Sequence, residues 1–584
     1  MKGEIKMKQL SADVVVIGGG ATGAGVLRDA AMRGFSAVLL ERADIAQGTS
    51  SRFHGLLHSG GRYVVSDPHS ATQCAEENAI VRRINADAIE ETGGLFAMPP
   101  GDPDDFGDKF RDGAIKTKVP AEEITIKEAL RLEPRLNPRV KRVFRVEDGC
   151  VDGWRLVWGA LESGREYGAK ILPYHLATEI VVRNGVVAQV KAVDQKTNDQ
   201  VSIDCRYIVN AGGPWAGSIA QMAGAPGVDV VPGRGIMIGM NHRLVNHVVN
   251  RLCVPADGDI IVPGHTICVI GTTDQAEQHP DFLSIKPHEV QKMLDKGEDL
   301  IPGFRKARAV HIWSGARPLL KDSRVKATDT RHMSRGMAII DHGERDGIKG
   351  LLTVAGGKFT TYRLMAQEVV DVMCEHLGEN RPCRTAEEAV PSARSGHHEY
   401  VSNRLAEVEK ELATTQIICE CELVTRDTIA RQFERVPKSN FDDMRRQLRV
   451  GMGPCQGTFC GLRSAGIAHE SRRKHLPTEE PAVAADVTTT MLRLFYANRM
   501  QGIAPILYGS TLTEIALQSW MLESNLDLNR LPSPSSNAKL TTGDMALIHG
   551  VPKDAKAEDC PLLPASLLGR RPHGDPHEKG REVA

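Results

Sequence analysis

Two pairs of cysteines lie late in the 584-residue chain at spacings that could hold a metal centre. Cys419 and Cys421 form a C-x-C pair in IICECELV, and Cys455 and Cys460 form a C-x-x-x-x-C pair in GMGPCQGTFCG. Four thiolates bounded by glycines suit an iron–sulfur cluster or a structural metal such as zinc. Structural zinc more often uses C-x-x-C knuckles, because that spacing wraps two sulfurs around one ion. Zinc and a set of merely buried thiols remain the alternatives to a cluster.

A second chemical motif lies near the N-terminus, where Gly18, Gly20 and Gly23 have the G-x-G-x-x-G spacing. The glycines follow the β-branched run ADVVVIG and open the helical segment TGAGVLRDAAMRG, and the next strand, SAVLLE, ends at Glu41. The pyrophosphate of a dinucleotide fits the amide groups of such a helix N-terminus, and a terminal acid accepts the ribose hydroxyls. The combination therefore predicts a dinucleotide site, with a simple glycine-rich turn as the alternative.

Two distant segments could complete this nucleotide fold. Residues 178–213 predict a small antiparallel meander that turns at Asn184 and Gly185, followed by the strand YIVNAGG. Near residue 350, GLLTVAGGKFTTYRLMAQEVVDVM predicts a strand, a glycine pair and a helix. A fold assembled in this way resembles the FAD-binding fold of the D-amino-acid-oxidase-like flavoproteins. No second G-x-G-x-x-G occurs, so we expect no separate nicotinamide site, and the electrons must leave by another route.

The resemblance implies an α/β architecture: a Rossmann-like FAD-binding domain with a substrate-binding domain, followed by a small, mostly helical domain. The expected parts are an oxidoreductase over 1–390, a linker over 391–415, a C-terminal domain over 416–528 and a disordered tail over 529–584. The oxidoreductase is expected to divide into FAD-binding segments at about 12–85, 150–220 and 330–390, and substrate-binding segments at about 86–149 and 221–329. The tail is polar and rich in Pro and Gly, and we do not assign its Cys560 to the metal centre.

Four short stretches place cations, hydroxyls and histidines beside glycines: HGLLHSGGRYVV, VIGTTDQ, WSGARPLL and AGGKFTTYR. They resemble the corresponding motifs of FAD-dependent glycerol-3-phosphate dehydrogenases, and the resemblance covers residues 12 to 390 approximately. Carried over by position, it implies that the substrate side of the flavin is lined by Arg62, Tyr63, Thr273, Arg317 and Lys358, with Arg335 as a weaker addition. It also implies FAD contacts from Gly18, Gly20, Gly23, Glu41, Thr49, Ser50, Ser51, Gly213, Gly356, Gly357 and Thr360.

Several cations around one pocket suit a phosphomonoester, because arginine binds its oxygens bidentately and lysine adds a point charge. Solvated surface cations are the plain alternative. The implied reaction transfers a hydride from C2 of sn-glycerol 3-phosphate to FAD while a base removes the hydroxyl proton, giving dihydroxyacetone phosphate. His58 is the candidate base, since imidazole titrates near neutral pH, but a histidine beside glycines also serves as a structural hydrogen-bonding group. Where relatives commonly carry Lys-Gly, this chain has Arg234 and Gly235, which puts a phosphate role for Arg234 in question.

The cysteine region, from about residue 415 to 470, resembles the bacterioferritin-associated-ferredoxin-like [2Fe-2S] domain. That resemblance assigns four ligands to one cluster: Cys419, Cys421, Cys455 and Cys460. A flavin accepts two electrons as hydride and a cluster carries one, so the pair implies a dehydrogenase that feeds a downstream carrier. Among glycerol-3-phosphate dehydrogenases, the appended domain resembles that of the anaerobic branch. This implies three partners: a second flavoprotein subunit, a membrane-anchoring iron–sulfur subunit, and quinone reached through them.

Composition limits the other functions open to the chain. With 73 basic and 74 acidic residues, the net charge is -1, so no overall field favours nucleic acid. The twelve cysteines are mostly scattered singly, which indicates a reducing compartment. No run of about 18 apolar residues occurs, so membrane contact must come through an amphipathic surface or a partner. We expect a cytoplasmic protein associated peripherally with the inner face of the cell membrane through partner subunits.

Two other functions remain open from the sequence. An amino-acid or opine dehydrogenase of the same fold needs one arginine for a carboxylate and an apolar pocket, so the several cations count against it. A non-catalytic electron-transfer or redox-sensing subunit would bind flavin without turning over a substrate.

Overall fold

The computed structural model describes residues 7–281, 283–321, 336–395, 400–411, 415–436, 439–500 and 502–521. The expected tail 529–584, with Cys560, and Arg335 lie outside these residues. The chain divides into two compact units. Within the described residues, the first comprises those of 7–283, 288–307 and 314–407, and the second comprises those of 284–287, 308–313 and 408–521.

A parallel sheet forms the centre of the first unit. Its central strand, Met7–Ile17, pairs with Gln200–Asn210 on one side and with Ala37–Leu40 on the other, and Lys170–Leu172 follows beyond. Val14, Val15 and Val16 of the central strand are fully buried on both faces of the sheet, as expected for a parallel strand covered on both sides. The β-branched run before the glycine motif is therefore a buried parallel strand.

The predicted meander and the later strand complete this sheet. His175–Arg183 and Val186–Asp194 form a hairpin whose turn residues, Asn184 and Gly185, have φ of 52° and 74°. Val186–Asp194 pairs with the first half of Gln200–Asn210 and Leu351–Gly356 pairs with its second half, so one long strand joins both parts. Met337–Asp341 pairs antiparallel with Leu351–Gly356 at the edge.

Three helices cover one face of the parallel sheet. The helix Ala21–Met32, which opens at the glycine motif, packs between Gly153–Glu166 and Tyr362–Leu377. Its Leu27 and Ala30 are fully buried with Val369 and Val370 of the later helix. The remaining helices of this unit are Pro68–Ile84, Asp105–Thr117, Ile126–Leu132, Ala216–Met222, Pro287–Leu300 and His342–Asp346.

A second, mostly antiparallel sheet of nine strands is formed by residues between 94 and 320. Its order is Gln275–Ala276, Val230–Met240, Ile267–Gly271, Ile260–Gly264, Val248–Arg251, Gly94–Ala97, Val143–Val146 and Ala121–Ile124. Ala309–Leu320 also pairs with Val230–Met240. A small third sheet consists of Leu56–Leu57, Gly149–Val151 and Ile89–Glu90. The expected α/β class, with a nucleotide domain and a second sheet, is confirmed.

The second unit is mostly helical, as expected. A short hairpin, Ile417–Cys419 with Val424–Thr425, precedes its helices. The helices are Arg426–Arg435, Phe441–Leu448, Cys460–His475, Pro481–Met500 and Gly509–Ser519. Phe433, Phe441 and Tyr496 are almost fully buried in its core. A further helix, Val401–Glu411, lies within the range expected to be a linker.

Candidate functional site

The glycine motif forms a close strand-to-helix crossing. Gly18 has φ of +117°, and a Cβ on it would lie 2.5 Å from the carbonyl oxygen of Ala211. A Cβ on Gly23 would lie 1.9 Å from the carbonyl oxygen of Gly18, so only glycine fits there. Gly20 is the N-cap of the helix Ala21–Met32 and carries no side chain over its first amides. The geometry is that of a pyrophosphate-binding turn.

Polar side chains border this turn on two sides. The carboxylate of Glu41 accepts hydrogen bonds from the amides of Gly19 (2.7 Å) and Ala43 (2.9 Å), which fixes it at the end of its strand. Each carboxylate oxygen keeps a further lone pair for a ribose hydroxyl. Ser50 Oγ accepts from the amide of Ala21 at 2.9 Å. The flanking Thr49 and Ser51 donate to the carbonyls of Ala316 and Ala46, at 2.6 Å each.

Four predicted cofactor positions follow the carboxyl ends of adjacent parallel strands. Gly18, Glu41 and Gly213 follow three of these strands, and the pair Gly356–Gly357 lies at the end of the fourth. Gly356 and Gly357 have φ of 79° and 75°, and a Cβ on either would approach within 2.5 Å of a neighbouring atom. Ligands of open α/β sheets bind outside this edge. The donors and the close backbone approach there fit FAD.

The predicted substrate residues of two distant segments meet beside this edge. Lys358 Nζ donates to Ser70 Oγ at 2.9 Å and lies 5.4 Å from the ring centroid of Tyr63. The Tyr63 ring lies 5.5 Å from that of His58, whose backbone amide donates to Thr360 Oγ1 at 3.1 Å. One cation, one phenol and one imidazole are therefore adjacent, together with the buried hydroxyl of Thr360.

Arg62 is fixed by a carboxylate that the sequence analysis did not identify. Its two terminal nitrogens pair with both oxygens of Asp259, at 2.9 and 3.1 Å, and Asp259 is 1% exposed. Burial is the largest single influence and opposes the charge on Arg62, but the charge and hydrogen bond of Asp259, with smaller contributions from Tyr63 and Cys253, together outweigh it and raise the pKa of Arg62. Arg62 is thus a charged and oriented donor.

Arg317 is held more tightly still. One terminal nitrogen donates to Asp274 at 3.0 Å and to the carbonyl of Gly233 at 3.3 Å; the other donates to the carbonyl of Thr273 at 2.9 Å and to Thr272 Oγ1. Thr273 Oγ1 itself accepts from the amide of Ile236 at 3.2 Å. The side chain of Arg317 remains 25% exposed. Its charge is therefore fixed in direction rather than free to reorient.

His54 interacts with Arg62 and Arg317 and also lies near His58, a member of the group described with Tyr63 and Lys358. Its ring lies 6.3 Å from that of His58. Burial, with the charges of Arg62 and Arg317, lowers the pKa of His54 to about 3, so the imidazole is neutral at physiological pH. His54 Nδ1 accepts from the amide of Leu56 at 3.2 Å, which places the ring proton on Nε2. No role for His54 was predicted from the sequence, although its position four residues before His58 was a signal.

Arg234 does not belong to this pocket. It is fully buried and pairs with Glu277 at 2.6 Å and Glu289 at 2.9 Å. These two carboxylates compensate its charge, so its role is structural and the phosphate role questioned from the sequence is not supported.

The four cysteines of the second unit interact pairwise. The thiol of Cys455 interacts with those of Cys421 and Cys460, and Cys460 also interacts with Cys419. Hydrogen bonds from Cys421 and Cys460, and from the amides of Phe459 and Gly457, lower the pKa of Cys455 to about 2. Cys460 likewise lowers the pKa of Cys419, with help from the amides of Gly451 and Glu422. Amide donors to thiolate sulfur are typical of iron–sulfur ligands.

The same part of the chain does not form a site for a single ion. Within the described residues, no three His, Cys, Asp or Glu side chains are arranged to hold one metal ion. A tetrahedral zinc requires all its sulfur ligands at about 2.3 Å from one point, whereas a [2Fe-2S] centre spreads its cysteines over two irons.

Comparison with known proteins places this geometry in a family. Residues 13–371 match the model of the DAO family of FAD-dependent oxidoreductases. The chain is 37% identical over 544 residues to the A subunit of the anaerobic glycerol-3-phosphate dehydrogenase from Haemophilus influenzae, covering 90% of this chain and 94% of that one. It is 36% identical over 541 residues to the protein of the same name from Escherichia coli K12, covering 89% and 98%.

Other relatives match less of the chain or share only its fold. The aerobic glycerol-3-phosphate dehydrogenase of Staphylococcus aureus USA300 is 30% identical over 64% of this chain and 70% of its own. The FAD-complexed glycerol-3-phosphate dehydrogenase from Bacillus halodurans superposes with a TM-score of 0.53 at 20% identity, over 94% of this chain and 96% of that one. Glycine oxidase from Geobacillus kaustophilus gives 0.51 at 20%, over 65% and 98%. At such identities the solved structures indicate the fold alone.

Proposed function

The chain belongs to the DAO family of FAD-dependent oxidoreductases, and we propose that it oxidises sn-glycerol 3-phosphate to dihydroxyacetone phosphate. The observation that carries the proposal is the grouping of Arg62, Arg317 and Lys358, which come from three separate segments, around His54, His58 and Tyr63. Relatives named as A subunits of anaerobic glycerol-3-phosphate dehydrogenase, similar over about nine-tenths of the chain, support the same substrate.

The cations of the pocket suit a phosphomonoester. Arg62 and Arg317 are each held by one carboxylate, Asp259 and Asp274 respectively. The carboxylates fix the guanidinium groups before substrate arrives, so less ordering is needed on binding. Lys358 adds a point charge from beside Tyr63.

We assign His58 as the base that removes the proton of the substrate hydroxyl. His54 cannot serve as that base, because its low pKa and its bond from Leu56 leave Nε2 as a donor. We assign His54 to hold the oxygen on C2 through this proton. Bound FAD supplies the acceptor for the hydride that leaves C2. The residues that would hold FAD are the glycines and polar groups at the carboxyl edge of the parallel sheet.

An amino-acid or opine substrate is less consistent with this pocket. The fold does not exclude it, because glycine oxidase shares the fold. An amino-acid carboxylate needs one arginine, whereas two oriented arginines and a lysine, Arg62, Arg317 and Lys358, meet here. We therefore retain the phosphomonoester.

We further propose that Cys419, Cys421, Cys455 and Cys460 hold a [2Fe-2S] cluster that carries electrons away from the flavin. The pairwise thiols and the amide donors to Cys419 and Cys455 support this ligand set. The relatives named as A subunits match about 90% of the chain, whereas the aerobic relative matches 64%. The similarity to the A subunits therefore extends well beyond residues 13–371, which match the family model.

The names of these relatives, which describe one subunit of a larger enzyme, support a hetero-oligomer. We propose two partners: a second flavoprotein subunit, and with it a membrane-anchoring iron–sulfur subunit that passes electrons to quinone at the inner face of the cell membrane. Among the helices described, none is long and apolar enough to cross a bilayer.

Substrate choice is tested by anaerobic mixing of the purified holoprotein with glycerol 3-phosphate, glycerol or a panel of amino acids. We expect the flavin absorption to bleach with glycerol 3-phosphate and not with the others. Bleaching by an amino acid, with none by glycerol 3-phosphate, would overturn the proposal.

The cluster is tested by metal analysis of the purified protein. Cys455→Ser should lose iron and acid-labile sulfide, while Cys253→Ser, which changes a cysteine outside the group, should keep both. Zinc in place of iron in the parent protein would reject the cluster.

A further inference from the structure

Two arginines of the second unit are buried without adequate partners. Arg499 is 2% exposed, and none of its three side-chain nitrogens has a hydrogen-bond partner among the described residues. Arg445 is 9% exposed, and its Nε is also unpartnered within that set. Burial and the neighbouring charge of Arg445 lower the pKa of Arg499 to about 9, so it stays charged at neutral pH. A buried charge of this kind requires compensation.

The surrounding carboxylates supply little of that compensation. The ion pair nearest to Arg445 is a 3.9 Å contact with Asp442, whose other oxygen accepts from Asn498 at 2.6 Å. Glu514 attracts Arg499 but pairs directly with Arg308 at 2.8 Å.

His311, a further titratable group beside the pair, adds no negative charge. Burial and the two arginines lower its pKa well below the usual histidine value, so it is neutral. The other groups that face the pair are Arg446 and Arg308, which are positive, and the phenol of Tyr496.

The cationic pair adjoins the cysteine loop. Arg445 lies close enough to the sulfur of Cys460 to interact with it electrostatically. Its guanidinium lies 5.5 Å from the ring centroid of Phe495, and that ring is so close to Gly457 that a Cβ there would approach it within 2.5 Å. Gly457 lies between Cys455 and Cys460 in sequence. The cationic pair therefore lacks a compensating negative charge at a place that adjoins the proposed cluster ligands.

We propose that Arg445 and Arg499 are the built-in counter-charge of the iron–sulfur centre. The inference rests on the proposed cluster. Four thiolates and two sulfides leave an all-cysteine [2Fe-2S] centre with a net negative charge, which grows by one on reduction. Nearby buried cations favour the more negative, reduced form and so raise the reduction potential. Without the cluster the same cations repel each other, so they also make this unit depend on the cluster for its stability.

The test compares Arg445→Met and Arg499→Met with Arg463→Met in the full-length holoprotein. Arg463 is a matched control, since it lies in the first turn of the helix that Cys460 begins but is 43% exposed and paired with Glu420 at 3.0 Å. At a fixed solution potential, each of the two core variants, Arg445→Met and Arg499→Met, should lower the ratio of reduced to oxidised cluster about tenfold, which corresponds to a reduction potential lower by ~59 mV. The control, Arg463→Met, should leave this ratio unchanged. The same variants should lower the melting temperature of the loaded protein and raise that of the cluster-depleted protein.

Different results separate the two proposals. Absence of iron from the parent protein would reject the cluster and with it this inference. Iron in the parent, with an unchanged potential and equal stability changes in loaded and depleted protein, would reject the counter-charge alone. Failure of both core variants to fold in the depleted form would also contradict it, since removal of an uncompensated buried charge should stabilise that form.

Discussion

Replacement of Arg317 by lysine keeps the positive charge but removes the planar guanidinium group, whose two terminal nitrogens make its hydrogen bonds. Arg317 makes four hydrogen bonds through two nitrogens, and an ammonium on a lysine stem cannot reach Asp274 and the Thr273 carbonyl in the same geometry. A hydrogen bond to a charged group contributes about 1.5–3 kcal/mol. Because the side chain is 25% exposed, water replaces part of what is lost, so we expect a net loss equal to about one such bond. That corresponds to a decrease of roughly 10- to 100-fold in kcat/KM for glycerol 3-phosphate.

The assay is anaerobic rapid mixing, with flavin reduction followed against substrate concentration. If Arg317 acts on the phosphate, the Kd of inorganic phosphate, measured by perturbation of the flavin spectrum, should rise by a similar factor. Arg243→Lys is the matched control, because Arg243 is also 25% exposed and pairs with Glu90 at 2.6 Å. An unchanged kcat/KM in Arg317→Lys, or an equal decrease in both variants, would refute the reasoning.

Three further predictions follow from the same structure. Gly23→Ala should abolish FAD retention, because its Cβ would lie 1.9 Å from the Gly18 carbonyl oxygen; bound flavin after gel filtration measures this, and Gly466→Ala, with open space at its Cβ position, is the control. His54 has a folded pKa of about 3 against its ordinary 6.5, so between these values the unfolded chain binds the extra proton and stability rises with pH. His54→Gln should flatten that rise in unfolding free energy by roughly 1.4 kcal/mol per pH unit near pH 5, and an unchanged slope would contradict the burial of His54. Asp259→Asn should raise KM for glycerol 3-phosphate, because Arg62 loses the carboxylate that orients it; steady-state kinetics that match the parent protein would show that this ion pair is only structural.

Local sequence patterns predicted the parts of the fold whose conformation depends on residues adjacent in the sequence. The strand, glycine turn and helix from Met7 to Met32 are contiguous, and each step has a characteristic residue type. The turn at Asn184 and Gly185 was predictable for the same reason, because the left-handed backbone conformation favours these residues.

The partners of the pocket cations could not be predicted in this way. Asp259 lies 197 positions from Arg62, and Ser70 lies 288 positions from Lys358. Nothing in the composition near either cation specifies such a partner, since the pairing depends on how two sheets and the helix Pro68–Ile84 are assembled. For Arg234, the sequence showed a cation beside a glycine, and only the packed structure shows that two distant glutamates already neutralise it.

The most direct test of the central claim is an anaerobic titration of the isolated holoprotein with glycerol 3-phosphate, followed by visible absorption and electron paramagnetic resonance. A chain that contains one flavin and one one-electron cluster should take up about 1.5 equivalents of substrate, bleaching the flavin and producing the signal of a reduced [2Fe-2S] centre. A preparation whose flavin stays oxidised at excess substrate would contradict the account.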